Sequence, residues 1–139
     1  GTQAVFNITS TQNAISLTSD NKGVMNLAQT ELIAYPGASG HIDIPASVTT
    51  IRNNAFCDCS SLTSVNIPES VTTIGSQAFY NCSSLISVNL LPTTPPSIGN
   101  NTFANNASGR TFYIPKNTYA AYSTATNWSV YASFMEEVI

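Results

Sequence analysis

The chain has 139 residues, one domain's worth, and a chain of this length buries roughly two thirds of its unfolded surface. Charged residues make up only 8% and the net charge is −3, which disfavours nucleic acid or an anionic membrane as a partner. No apolar run approaches the ~18 residues of a membrane-spanning helix, and Gly1 in place of a start methionine is what removal of a leader would leave.

Residues 1–38 are irregular. Val5-Phe6-Asn7-Ile8 alternates like a strand and reads as a degenerate first rung with Phe6 and Ile8 inward. Asp20-Asn21-Lys22-Gly23 is a turn signal. Val24–Leu27 and Thr30–Tyr35 follow it and predict a hairpin or a longer, irregular repeat.

Residues 39–115 repeat. Ile44-Pro45-Ala46-Ser47-Val48-Thr49-Thr50-Ile51 returns as Ile67-Pro68-Glu69-Ser70-Val71-Thr72-Thr73-Ile74. Pro45, Pro68, Pro92 and Pro115 are spaced 23, 24 and 23. The columns Ile51, Ile74, Ile98 and Phe56, Phe79, Phe103 show the same 23 and 24, so one extra residue enters at Leu90-Leu91. A unit this short cannot bury its own apolar face, so it must stack on its copies as a solenoid.

Within one repeat, Leu62, Val65 and Ile67 face the core from a strand while Asn66 faces out. Pro68 donates no ladder hydrogen bond and ends that strand. Val71, Ile74, Ala78 and Phe79 return apolar groups from an opposite, irregular wall, and Gly75 permits the bend between them. Strands of successive coils should lie ~4.8 Å apart in a parallel ladder. Residues 116–139 read as a cap. Asn117 or Thr118 starts a short helix to about Thr124. Trp128, Tyr131, Ala132 and Met135 then share one face of a second helix, with Trp128 and Phe134 sealing the open end.

Chemistry-bearing residues are few. Cys57, Cys59, Cys82 and the lone His41 do not converge as a zinc set, and no metal or cofactor is expected. Cys59, Cys82 and Asn106 form a small, weakly polar column whose side chains meet backbone at the bend. Cβ atoms stacked one rung apart sit wider than a relaxed bridge prefers, so buried free thiols are favoured over a disulfide. Cys57 has no base or cation beside it, and one histidine with no nucleophile elbow gives no catalytic set, so no enzyme is expected.

The outward strand positions form three columns. One is Gly40, Thr63, Ile86 and Arg110; the next is His41, Ser64, Ser87 and Thr111; the third is Asp43, Asn66, Asn89 and Tyr113. These residues have no core role. They are either a recognition surface, with Tyr113 and Arg110 as anchors, or a solvated face stiffened by stacked amides.

The pattern Cys-x-x-Leu-x-x-Val-x-Ile-Pro-x-x-Val-x-x-Ile-x-x-x-Ala-Phe, from Cys59 to Phe79, resembles the leucine-rich repeat of BspA-like bacterial surface proteins. Residues 44–115 match closely. Glu31–Gly37 resembles a segment that recurs in that family before a repeat. Thr94–Ile98, Tyr113–Pro115 and Tyr119–Tyr122 resemble its C-terminal cap. The resemblance implies a leucine-rich-repeat solenoid of the right-handed β/α superhelix class, a β-dominated parallel ladder with short C-terminal capping helices. It also implies a secreted or cell-surface protein of adhesion or host contact, and no catalytic residues. The expected partner is a protein or glycan at a cell surface, met by a monomer through the strand face. The alternative is a spacer or cap within a larger surface protein, with no ligand of its own.

Overall fold

The structure, a computed structural model, describes residues 14–138, so the strand expected at Val5–Ile8 lies outside the described residues. In chain order the strands are β1 (Ile15–Leu17), β2 (Val24–Asn26), β3 (Glu31–Ala34), β4 (Ser39–Asp43), β5 (Thr50–Ile51) and β6 (Ser61–Ile67). Then come β7 (Thr73–Ile74), β8 (Ser87–Leu90), β9 (Ser97–Ile98) and β10 (Thr111–Ile114). Helix α1 (Tyr119–Thr124), a 3-10 helix (Ser129–Phe134) and β11 (Met135–Glu137) close the chain.

Repeat spacing becomes sheet register. β4, β6, β8 and β10 are parallel neighbours, with Asp43 opposite Asn66, Asn66 opposite Asn89 and Asn89 opposite Tyr113. Ile42, Val65, Val88 and Phe112 alternate with these and are buried, as period-2 geometry requires. After the strands, the Pro45 and Pro68 carbonyls accept from the N–H groups of Val48 and Val71, so each proline opens a turn.

The opposite wall is more regular than expected. β5, β7 and β9 are only two residues long, yet they stack as a second parallel ladder, with Ile51 opposite Ile74 and Ile74 opposite Ile98. β3 joins that ladder in parallel, and β1 and β2 extend it as an antiparallel hairpin. The third side also links rungs. Phe56 and Phe79 donate their N–H groups to the carbonyls of Ala78 and Thr102 in the next coil. Asn54 and Asp58, Gln77 and Asn81, and Asn101 and Asn105 hold positive φ at the corners of this side. Amide and acid side chains tolerate that region better than others, so much of the asparagine content shapes the backbone.

Gly75 serves close approach rather than the bend expected of it. A Cβ there would lie 2.4 Å from the Asn53 backbone nitrogen in the coil before. Gly99 meets Ser76 in the same way, its Cβ position 2.7 Å from that backbone nitrogen.

An aromatic stack runs through the core. Tyr35, Phe56, Phe79 and Phe103 are stacked in turn, with centroid distances of 5.3, 4.7 and 5.2 Å. Phe112 turns its ring 77° to Phe103 and ends the series.

The cap satisfies the last coil's backbone with side chains. The Tyr122 hydroxyl donates to the Pro92 carbonyl (2.6 Å) and the Trp128 indole to Pro96 (2.7 Å). The Asn127 amide donates to Ile98 (2.9 Å), and the Phe103 N–H donates to the Tyr131 hydroxyl (3.1 Å). Trp128 is fully buried, while Phe134 is only partly covered. The expected second helix is instead a single 3-10 segment, and Met135 starts strand β11 against Phe112. The α1 start also differs: the Thr118 hydroxyl donates back to Pro115, and the Glu137 carboxylate of β11 accepts the Tyr119 N–H at 2.9 Å.

Candidate functional site

The outward face of the β4–β6–β8–β10 sheet carries one connected polar network. The Asn89 amide donates to the Asn66 side-chain oxygen (2.6 Å), and the Asn66 amide donates to Asp43 Oδ1 (2.6 Å). His41 Nε2 meets the same Asp43 oxygen at 2.9 Å, and its Nδ1 meets the Ser64 hydroxyl. Stacking one repeat on the next places these groups at hydrogen-bond distance, because in-register parallel strands align identical positions. His41, and then Asn66, hold the Asp43 carboxyl below its usual range. Ser64, His41 and Asp43 thus touch in series on an open sheet, with His41 and Asp43 side chains 44% and 71% exposed. At such exposure their polar atoms can hydrogen-bond to water or to a partner.

The structure brings His41, Asp43, Ser64, Asn66, Ser87, Asn89 and Tyr113 together as the columns require. It corrects the first column. Gly40 pairs with Leu62, not Thr63, because the register shifts between Gly40 and His41 and leaves Thr63 unmatched. Gly40 sits at φ +65°, which permits the irregularity. Ile86 is outward, with half its surface exposed at 51%. Arg110 is not an outward anchor: its guanidinium lies over the Phe134 ring at 4.1 Å and donates to the Ala107 carbonyl. Folding onto the aromatic ring buries its stem and gains a cation–π contact.

Sequence reasoning missed the rim of this face. A groove of about 340 Å³ opens at its C-terminal end, lined by Asn66, Glu69, Asn89, Leu91, Tyr113 and Val138, among others. Glu136 continues the Asn66–Asn89–Tyr113 column one strand further. The signal for Leu91 was its place as the extra residue between Leu90 and Pro92. Glu136 carried no signal while residues 128–135 read as a helix.

The thiols lie elsewhere. The Cys59 thiol donates to the Tyr35 carbonyl (3.4 Å), the Cys82 thiol to Phe56 (3.0 Å), and the Asn106 amide to Phe79 (2.9 Å). All three cysteines are free. The contact with Cys59, together with burial, pushes the Cys82 thiol up. Cys57 is partly exposed, and its thiol is also raised, by desolvation and then by Asp58. Among the described residues no group of His, Cys, Asp and Glu is placed to hold a metal ion, and no helix is long and apolar enough to cross a membrane.

Coils of 23–24 residues, each with a strand of alternating buried apolar residues in a parallel ladder, as in Leu62-x-x-Val65-x-Ile67, define a leucine-rich-repeat solenoid of β-dominated type. The matching family is named by its repeat. The chain belongs to the BspA type leucine rich repeat region family, whose model matches residues 38–130 in six copies. A leucine-rich repeat protein from Eubacterium ventriosum, solved by crystallography, is similar at 22% identity with a TM-score of 0.47. The alignment covers 73% of this chain and 36% of that one, so the chain spans about a third of that protein's length. No curated protein matches the sequence.

Proposed function

We propose that this chain is a non-catalytic recognition module of a secreted or cell-surface bacterial protein, which meets a protein or glycan through its strand face. The observation that carries this reading is the outward network of His41, Ser64, Asp43, Asn66 and Asn89, with Tyr113 at its end. None of these side chains is needed to fill the core, and together they offer donors, acceptors and an aromatic ring on one surface. Residues 39–115 supply this face, with the irregular N-terminal segment before it and the C-terminal cap after it. The module acts as a monomer.

A second reading has its own support. Asn89 spends a donor on Asn66, and Asn66 spends one on Asp43, as a ladder kept for stiffness would. On that reading the chain is a spacer or cap within a longer surface protein. A binding screen against extracellular-matrix proteins and a glycan panel separates the two, with the Asn66→Arg/Asn89→Arg double variant alongside. A saturable partner lost in the folded variant supports recognition. No partner for either folded protein supports the spacer.

A further inference from the structure

We infer that the groove at the C-terminal end of the strand face takes an extended peptide segment in which a Lys or Arg and a large aliphatic residue two positions apart face it together. This rests on the reading of the strand face as a recognition surface and assigns the class of its partner.

Three observations carry it. The first is apolar surface without a structural task. Leu91 and Val138 line the groove at 50% and 47% exposure, with the Tyr113 ring between the asparagine ladder and β11. In the earlier repeats Ile44 and Ile67 run directly into Pro45 and Pro68. Leu91 is inserted between Leu90 and Pro92, and Leu90 keeps the core position. The core therefore does not require Leu91, and its side chain stands at the groove instead. A volume of about 340 Å³ sits at the low end for ligand clefts and suits one or two side chains of a peptide rather than a large cofactor.

The second is hydrogen-bonding capacity at the groove floor. The ladder runs one way, from Asn89 through Asn66 to Asp43. That direction leaves Asn89 Oδ1 as the terminal acceptor, without a partner among the described residues. It is placed to accept a backbone N–H from an extended chain lying along the groove, as strand-like peptides use their main chain for affinity.

The third is charge. Glu69 lines the groove and Glu136 continues the ladder column beyond Tyr113. The chain has only four Lys and Arg residues, and none of them forms an ion pair with Glu69 or Glu136 among the described residues. Arg52 pairs with Glu31 on the other wall at 2.8 Å, and Arg110 lies over Phe134. His41 is held by Asp43. Glu69 and Glu136 are thus unpaired among the described residues, beside exposed aliphatic groups. A cation and an aliphatic side chain on the same face of the peptide complement both features, whereas an acidic ligand would meet like charge.

The test is a fluorescence-anisotropy titration of the full chain with a labelled hexapeptide, Gly-Lys-Ser-Leu-Ser-Gly, whose Lys and Leu share one face when extended, at about 0.15 M salt, where long-range attraction is screened. Companion peptides carry Glu for Lys, or Ser for Leu. The lysine–leucine peptide is expected to bind saturably and the two companions at least about tenfold more weakly. Leu91→Ser and Glu69→Lys should each weaken binding about tenfold. Glu31→Lys, an equal charge change on the opposite wall at an exposed ion pair with Arg52 that contributes little to stability, should leave it unchanged. Equal loss with Glu31→Lys, or binding indifferent to Leu91→Ser, or no saturable binding, overturns the assignment. The reading beneath it fails separately. A matrix or glycan partner lost in Asn66→Arg/Asn89→Arg, with no binding of the lysine–leucine peptide, keeps the strand face and discards the peptide.

Discussion

Phe56 and Phe79 stack face to face, their centroids 4.7 Å apart and their planes within 8°. Each is fully buried, and each occupies the same place in its coil. A solenoid is held by nearest-neighbour interfaces rather than by one central core, so the ring between two others carries coupling in both directions. Phe79 is that ring, between Phe56 and Phe103.

Phe79→Ala should therefore destabilise the fold by about 3–5 kcal/mol, the usual range for truncating a buried aromatic. Urea denaturation followed by circular dichroism measures it. The slope with denaturant should also fall, because coils on either side of the cavity lose their coupling and unfold less cooperatively. A change under about 1 kcal/mol would show that the stack is incidental to stability.

Gly75 and Gly109 make a matched pair. A Cβ on Gly75 would lie 2.4 Å from the Asn53 backbone nitrogen, whereas one on Gly109 would meet only the Ile86 side chain at 3.8 Å. Backbone cannot yield as a side-chain tip can. Gly75→Ala is expected to cost about 1–3 kcal/mol, as other overpacking changes do, and Gly109→Ala to stay within about 0.5 kcal/mol. Thermal unfolding of both variants gives the comparison. Equal effects would mean that the two coils are not in close contact at Gly75.

Much of this was legible in the sequence because a repeat states its own register. The columns of Pro68, Ile74 and Phe79 placed the strands, the inward faces and the extra residue at Leu91. What was missed lacked that periodicity. Tyr35 is an aromatic of the stack, but it precedes Phe56 by 21 residues rather than 23, so no column contained it. β5, β7 and β9 are too short to show alternation. Trp128, Tyr131 and Met135 fit a helical spacing, yet Met135 pairs with Phe112 as a strand, because the open sheet edge offered backbone partners that a helix would have left unsatisfied. The ladder of Asp43, Asn66 and Asn89 was visible as a column, but the position of Arg110 was not, since its packing on Phe134 depends on the cap.

The thiols should report the burial of the column. In the native protein Cys57 is expected to react with a chromogenic disulfide reagent, slowly because its thiol is raised, while Cys59 and Cys82 react only on unfolding. All 3 thiols should titrate in denaturant; a count of one would mean a bridge between Cys59 and Cys82. Asn106 fills the same position one coil later and bonds the Phe79 carbonyl. Cys82→Asn should therefore fold, with a stability change within about 1 kcal/mol.

The hairpin end of the chain should respond to pH through one contact. Tyr35 closes the aromatic stack, and its hydroxyl donates to Asp20, which also accepts from the Thr18 hydroxyl and the Lys22 N–H. The Thr18 hydroxyl, followed by Tyr35 and the Lys22 N–H, holds the Asp20 carboxyl down at about 2, while burial and then Asp20 push the Tyr35 phenol up to about 12. A lowered acid stabilises the fold fully above its unfolded value, near ~3.9, and that contribution drains as pH falls toward 2. A raised phenol stabilises it fully below its unfolded value, near ~10, and that contribution drains as pH rises toward 12. Amide exchange in β1 and β2 should accordingly be slowest relative to its intrinsic rate between these limits. Asp20→Asn removes its share of the acid limb; Asp43 and Glu137, also lowered, retain theirs. The same variant moves the alkaline limb to lower pH, because the phenol loses the carboxylate that helps keep it protonated. An alkaline limb unmoved by Asp20→Asn would show that burial alone, and not the contact with Asp20, sets the Tyr35 ionisation.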